Sequence, residues 1–253
     1  MRGVILAAGA GTRLTGSDVV RPKCLAPFDR VPLIELQVRA LRWCGIDDVV
    51  VVVGFEAERV RRSCGPGVRF VENPDFDSTN SLYSLWLARP LLTKGFVVLN
   101  CDVLFHPVML ADLLTAQHEN ALLVSYPQTG DPPFGTEEMR VCVRRGCVIE
   151  MGKDLPDSST DAENVGIVKF SARGASRLTA VMDRIIGSGS IRDWAPRAFG
   201  EFGREEPLFA VGTRGFPWTE IDTAEDYQRA TRRVFPAIQQ ALNDVAAPLR
   251  RGA

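Results

Sequence analysis

Gly3-Val-Ile-Leu-Ala-Ala-Gly-Ala-Gly-Thr-Arg13, followed by Pro22-Lys23, is the stretch whose reading decides the fold. Gly3 to Ala7 is short, apolar and unbroken, the pattern of a parallel strand buried on both faces. It runs into Ala8-Gly9-Ala10-Gly11, where small residues let backbone N–H groups approach a phosphate without obstruction. Arg13 and Lys23 add cations beside that loop, and a strand-end cradle with two cations suits a nucleoside triphosphate. A dinucleotide fingerprint would place a third glycine where Leu14 stands, and a P-loop would have Lys and Ser/Thr directly after the last glycine. Neither pattern is met. The plain alternative is a turn that merely needs glycines, with Lys23 in solvent. The joint occurrence of the loop, Arg13 and Pro22-Lys23 favours the phosphate.

Outward from this stretch, helix and strand patterns alternate. Val31 to Ile34 leads into a helix through about Cys44, with Leu36, Ala40, Leu41 and Cys44 on one stripe and Gly45 as its stop. Asp48 to Val53 is a second buried strand, Glu56 to Cys64 a helix, and Val68 to Val71 a third strand. Short turns between such elements predict a doubly wound α/β sheet, with ligands at the carboxyl ends of its strands. Glu72 to Ala88 begins polar and ends as an apolar helix, so Asn80 is either an ordinary helix cap or part of a nucleotide site at that helix N-terminus. Gly95 to Asp102 is a strand ending in a carboxylate. Beside a phosphate loop, Asp102 is placed to hold Mg²⁺ against triphosphate oxygens; its alternative is a cap before the helix that starts near Pro107. Leu at position 104 argues against the Asp-x-Asp of a glycosyltransferase. Helix 107–117 and strand 121–126 complete a nucleotide half.

Beyond residue 126 the pattern changes. Gln128 to Glu138, rich in Pro, Gly and acids, reads as a mobile loop over a site. Arg140 to Val143 and Cys147 to Met151 read as an antiparallel hairpin, and Ala162 to Phe170 as a strand. Gly174 to Ile186 and Ser190 to Phe199 are helical, Leu208 to Val211 is a strand, and Thr223 to Asn243 is a closing helix. There is no clean linker. The chain is therefore expected to form a single domain over 1–253, with a nucleotide-binding half (1–126), an acceptor-binding half (127–222) and a C-terminal helix and tail (223–253).

The 253 residues are 45% hydrophobic, ample for such a core, and the net charge of −1 with scattered cations excludes a basic nucleic-acid face. No apolar run approaches a membrane span, and Met1 leads straight into the first strand, which reads as a cytoplasmic protein. The six cysteines form no Cys-x-x-Cys pair and read as reduced core thiols; His106 and His118 have no ligand-spaced partner.

Leu6 to Arg13 with Pro22-Lys23-Cys24-Leu25 resembles the signature of the sugar-phosphate nucleotidyltransferases, or NDP-sugar pyrophosphorylases, and the likeness continues through most of the chain. The Glu72–Ala88 stretch is similar to the Asn-Pro…Asn-Asn…Ser-Leu pattern of the phosphocholine and phosphonate cytidylyltransferase branch, with Asn80 at the first Asn and Ser81 replacing the second. The resemblance implies a Rossmann-like, GT-A-like, mostly parallel doubly wound sheet with a small antiparallel acceptor-binding elaboration. It implies a nucleotide site at Leu6, Ala7, Ala8, Gly9, Ala10, Gly11, Asn80 and Ser81, with Arg13 and Lys23 as the catalytic cations. Trp218-Thr-Glu-Ile-Asp-Thr-Ala-Glu-Asp-Tyr227 resembles the family's second metal motif, so Asp222 would join Asp102 on Mg²⁺, with Glu220 beside it. Lys153, Glu163, Lys169 and Trp218 would face the acceptor. Read on their own residues, Asp222 is equally a helix-dipole partner, Lys169 an edge-strand lysine, and Trp218, like Trp194 and Tyr83, either core filling or a wall for a quaternary amine.

The reaction so implied joins an NTP, CTP favoured, to a small phosphorylated or phosphonate acceptor and releases pyrophosphate. The acceptor oxygen is already ionised near neutral pH, so positioning and cations carry the step and no general base is needed. A hexose 1-phosphate uridylyl- or thymidylyltransferase is the alternative within the class, and a catalytically silent nucleotide sensor the alternative outside it. A homo-oligomer is compatible with each.

Overall fold

β1 (Arg2–Ala7) is buried from Gly3 onward, as its unbroken apolar run requires. Alternate residues serve opposite faces: Val4, Leu6 and Ala8 enter one core cluster, Ile5 and Ala7 another. The computed structural model describes residues 1–11, 22–128, 134–135 and 138–250, with side chains as far as residue 242. After β1 come a short ribbon of β2 (Pro27–Phe28) and β3 (Val31–Pro32), then α1 (Leu33–Trp43), β4 (Val49–Val53), α2 (Ala57–Ser63) and β5 (Val68–Glu72). α3 (Ser81–Leu87), β6 (Phe96–Asn100), β7 (Val103–Phe105), α4 (Pro107–Thr115) and β8 (Ala121–Ser125) follow. The chain continues through β9 (Arg140–Arg144), β10 (Cys147–Gly152), β11 (Ala162–Phe170), α5 (Ala172–Gly187), α6 (Ala195–Glu205) and β12 (Phe209–Gly212). It ends with β13 (Trp218–Glu220), α7 (Ala224–Arg229) and α8 (Phe235–Arg250).

Nine strands form one sheet in the order β5-β4-β1-β6-β11-β8-β12-β10-β9. From β5 to β6 every pairing is parallel. β11 then runs antiparallel to both β6 and β8, and its first residues also pair with β9, which curls back onto it. The expectation of a mostly parallel sheet thus holds for β5-β4-β1-β6, and the sheet as a whole is mixed. The antiparallel part is woven into the same sheet. β11 has eight of its nine residues buried, so it can serve only as an interior strand.

Helices cover both faces. On one, α3, α5 and α6 contribute Leu82, Leu85, Leu178, Val181, Phe199 and Phe202 to the core; on the other, α1, α2 and α4 contribute Ile34, Val38, Val60, Met109 and Leu113. A third, smaller cluster lies under α8, where Phe28, Leu33, Leu104, Ile221 and Ile238 meet, and Phe28 packs against Tyr227 and Phe235 at ring separations of 5.6 and 5.4 Å. The expected closing helix is interrupted between α7 and α8 by a π turn over Ala230–Val234. The helix expected at Ser190–Phe199 starts later, at Ala195, and runs to Glu205. Its glycines hid it. Gly200 and Gly203 lie against β10, and a Cβ at Gly203 would sit 2.8 Å from the Val148 carbonyl oxygen. Among the described residues no helix is long and apolar enough to cross a membrane.

Two helical glycines therefore predict opposite outcomes. Alanine at either gains up to about 1 kcal/mol of helix propensity. Gly187→Ala, whose Cβ would meet nothing within 4 Å, should raise the urea midpoint. Gly203→Ala must displace a backbone carbonyl and should lower it. A rise for both would show that α6 can move away from β10 at little cost.

Candidate active site

The carboxyl ends of β1 and β6 open into a cavity of about 420 Å³. Its floor is the small-residue loop after β1. The Ala8 carbonyl accepts a hydrogen bond from the Phe55 N–H at 3.0 Å. A Cβ on Gly54 would lie 2.7 Å from Ala8 O and 2.7 Å from Phe76 Cβ, so glycine at position 54 is what lets the loop settle there. Gly11 has φ +63°, and a Cβ on Gly9 would meet nothing within 4 Å, leaving that backbone open to a ligand. Leu6, Ala8, Gly9 and Gly11 line the cavity. Ala7 turns its side chain into the opposite core, so only its backbone can serve the nucleotide, and Ala10 is half-buried beside the loop. Arg13 lies outside the described residues.

Lys23 starts a short 3₁₀ turn that Cys24, fully buried, anchors in the core. Its Nζ donates to Asp102 Oδ2 at 3.2 Å and to Asp222 Oδ1. Burial pulls the lysine pKa down, and the two carboxylates, Asp102 foremost, more than restore it, so it lies above the ordinary value. The sequence separates these carboxylates widely; an antiparallel ribbon that sequence reading missed brings them together. β7 pairs with β13 through Val103–Glu220, Leu104–Thr219 and Phe105–Trp218, and the Ile221 N–H donates to Asp102 O at 3.0 Å. The ribbon's strands have three residues each, too few for a periodic signal.

Capping of α7 falls to Thr223, whose hydroxyl accepts from the Asp226 N–H while Asp226 Oδ2 accepts from the Thr223 N–H and from the Asp222 N–H. That leaves the Asp222 side chain at the cavity wall with Lys23, rather than spent on the helix end. Glu220 lines the cavity too. Burial holds its pKa well above the carboxylate range, reinforced by the neighbouring Asp102 and Asp222.

On the far wall, Asn80 caps α3 by accepting from the Ser81 N–H at 2.8 Å, and the Ser81 hydroxyl accepts from the Ala195 N–H at 2.9 Å. Both line the cavity and tie the start of α3 to that of α6. Asn73, passed over in the sequence, organises the loop before them. It is 1% exposed, its amide donates to Thr79 and Ser84, and its carbonyl accepts from the Asp75 N–H. Asn-Pro at positions 73–74 was the available signal. Asn100 and Asn164 also line the cavity. Gly166 lies beside them at φ +81°, where a Cβ would press on the Asn100 side chain at 2.7 Å.

The residues expected at the acceptor end divide. Lys153 lines the cavity with Trp194, its Nζ 5.0 Å from the indole centroid. Glu163 lies on β11 near Glu138 and Arg229; burial, then Glu138, raise its pKa to about 7 against the pull of Arg229. Lys169 is a correction. It is 3% exposed, and its Nζ donates to the carbonyls of Leu114 and Ala116, neutralising the C-terminal end of α4 away from the cavity. Trp218 takes the core-filling alternative: it sits in the β7–β13 ribbon and packs against the core beneath, outside the cavity lining. Tyr83 packs against Trp86 in a tilted pair, ring centroids 5.4 Å apart, and likewise does not line the cavity.

A parallel half-sheet with a glycine loop at its first strand end, two carboxylates and a lysine defines a nucleotide-handling α/β domain. Residues 3–245 match the MobA-like NTP transferase domain, and the chain belongs to that family. It is 34% identical over 238 residues to the bifunctional IPC transferase and DIPP synthase of Rubrobacter xylanophilus, an alignment covering 91% of this chain and 51% of that protein. The chain thus spans about half the length of that relative. It is 25% identical over 232 residues to the choline-phosphate cytidylyltransferase of Streptococcus pneumoniae, covering 90% of this chain and 96% of the other. The solved inositol-1-phosphate CTP transferase of T. maritima shares the fold at TM-score 0.75, with 22% identity over 94% of each chain.

The raised pKa of Glu163 has a sign that can be checked. The neutral carboxyl suits the folded protein, so its contribution is present below the unfolded value of 4.5 and is lost as pH rises towards about 7. Glu163→Gln should therefore stabilise the protein at pH 8, by about 2 kcal/mol, and much less at pH 5. Melting curves at the two pH values measure this; equal shifts at both would refute it.

Proposed function

We propose that this chain transfers a nucleotidyl group from an NTP, CTP favoured, to a small phosphorylated or phosphonate acceptor, with pyrophosphate leaving. The observation that carries the reading is the meeting of Lys23, Asp102 and Asp222 at the mouth of the Gly9–Gly11 loop. The cytidylyltransferase names of the relatives support CTP and this class of acceptor.

The Gly9–Gly11 backbone would hold the triphosphate, with Arg13 and Lys23 as its cations. An acceptor oxygen forms a bond to the α-phosphorus while the bond from that phosphorus to the bridging oxygen of the β-phosphate breaks, and the electron pair leaves with pyrophosphate. Both reactants are anions, so holding them in line and neutralising charge make up most of the catalysis. Asp102 and Asp222 fit a divalent cation: one ammonium already reaches both, their donors are hard oxygens, and Mg²⁺ is commonly held by one or two carboxylates plus substrate phosphates. When bound, that cation supplies Lewis-acid stabilisation of the α-phosphate. With the carboxylates so engaged, the Lys23 ammonium is free to turn to the phosphates and to steady the leaving group. Lys153, which lines the same cavity, would meet the acceptor's phosphate.

A pyrophosphate-release screen tests this, crossing the four common NTPs with phosphocholine, 2-aminoethylphosphonate, inositol 1-phosphate and hexose 1-phosphates. CTP with one of the first three should give Mg²⁺-dependent release. Asp102→Asn should lose about 100-fold or more of that rate with an unchanged circular dichroism spectrum. Release with no pair, or near-normal turnover in Asp102→Asn, would sink the reading.

A further inference from the structure

We propose that Gln37 is a positioning residue for Asp102, its side-chain amide fixing where that carboxylate meets Asp222. This rests on the reading above, in which the two carboxylates hold a divalent cation.

α1 presents a buried stripe to the core: Leu33, Ile34, Val38, Ala40 and Leu41. Gln37 lies within that stripe, 1% exposed, where an apolar residue would be expected. Its Nε2 donates to two carbonyls, Asn100 O at 2.9 Å and Val103 O at 2.8 Å. These groups flank Cys101-Asp102, the corner at which β6 ends and β7 begins. One amide group therefore closes that corner with both of its hydrogens. A third bond, from the Ile221 N–H to Asp102 O, ties the same corner to the residue preceding Asp222. Loss of the amide would remove one donor from each of these two carbonyls and both of the bonds that tie α1 to the corner.

Gln37 Oε1 is buried and has no hydrogen-bond partner among the described residues. An unpartnered buried acceptor opposes folding, and a methionine of similar length would fill the space without one. What glutamine adds over methionine at this position is the pair of donors to the Asp102 corner. Residues behind metal-binding carboxylates commonly alter metal affinity when replaced, although they touch neither metal nor substrate.

The test compares Gln37→Met and Gln37→Glu with the wild type. The first readout is Mn²⁺ binding in the presence of CTP without acceptor, followed by the paramagnetic resonance signal of free Mn²⁺. The second is the Mg²⁺ concentration for half-maximal pyrophosphate release at saturating substrates. Gln37→Met should weaken Mn²⁺ binding and raise the Mg²⁺ requirement, each about 10-fold, while KM for the acceptor changes by less than about two-fold. A folded Gln37→Met with wild-type Mn²⁺ affinity and Mg²⁺ profile would overturn the proposal. If that variant does not fold, Gln37→Glu decides. At pH 8 its carboxylate offers no N–H, so weakened Mn²⁺ binding supports the proposal and unchanged binding overturns it. Wild-type protein that binds Mn²⁺ with CTP but releases no pyrophosphate would overturn the reaction proposed above, and the Mn²⁺ titration would still judge Gln37. Wild-type protein that binds no Mn²⁺ with CTP would overturn both.

Discussion

One ammonium between two carboxylates is the constraint on which the rest of the site depends. Lys23 reaches Asp102 and Asp222 at once, although they come from opposite halves of the chain. Like charges brought so close in a half-buried place repel each other, and the neighbouring Glu220 adds to the crowding. The cation offsets that repulsion and keeps the pair together before any ligand arrives. A buried charge cluster of this kind is weak evidence for stability, because desolvation cancels much of the attraction. It is better evidence for a place prepared to receive cations and phosphates.

The ribbon of β7 and β13 converts that electrostatic arrangement into a rigid one. Its register fixes Val103 opposite Glu220, and the Ile221 N–H donates to Asp102 O one step further out, so Asp222 follows directly on a residue held against Asp102. Hydrophobic burial then holds the ribbon down. Leu104 and Ile221 enter the cluster beneath α8, and Phe105 packs into the core shared with α4. The C-terminal helices thus serve the site from a distance, by covering Phe28, Leu104 and Ile221, and the Tyr227 hydroxyl adds a bond to the Pro27 carbonyl at 2.6 Å. α8 is for that reason part of the machinery that keeps both carboxylates in place, although none of its described side chains lines the cavity.

The nucleotide half was largely legible in the sequence because its signals are local. An apolar run such as Val49–Val53 can only be a buried strand, and glycines next to a strand end permit few other structures. The acceptor half was less legible because its decisive features are contacts between distant segments. Lys169 shows why. On a strand with charged ends it looked available to a phosphate, yet β11 lies in the middle of the sheet, so this side chain crosses a face that α4 covers. There the helix C-terminal carbonyls of Leu114 and Ala116 are the nearest acceptors. Trp218 could be read from sequence as core filling or as a cavity wall, and its place on a three-residue strand packs its ring against the core. Gln37 shows the same limit, because only the fold says which carbonyls it meets.

The mixed sheet gives the site its asymmetry. From β5 to β6 the strands run parallel, so their carboxyl ends gather at one edge and the backbone there can bind a nucleotide by a loop alone. β11 arrives from the opposite direction, so its beginning, not its end, lies at that edge, and it brings Glu163 and Asn164 rather than another strand-end loop. The bulge between Asn164 and Val168, with Gly166 at positive φ, then bends β11 around the Asn100 side chain. A parallel strand in that position would have needed a crossover and would have closed the cavity with its own loop. With the antiparallel strand there instead, Lys153 and Trp194 join Asn164 in lining the cavity. The cavity is thereby built on two structural supports, the parallel half-sheet and the strand that runs against it, with Lys23, Asp102 and Asp222 among its lining residues.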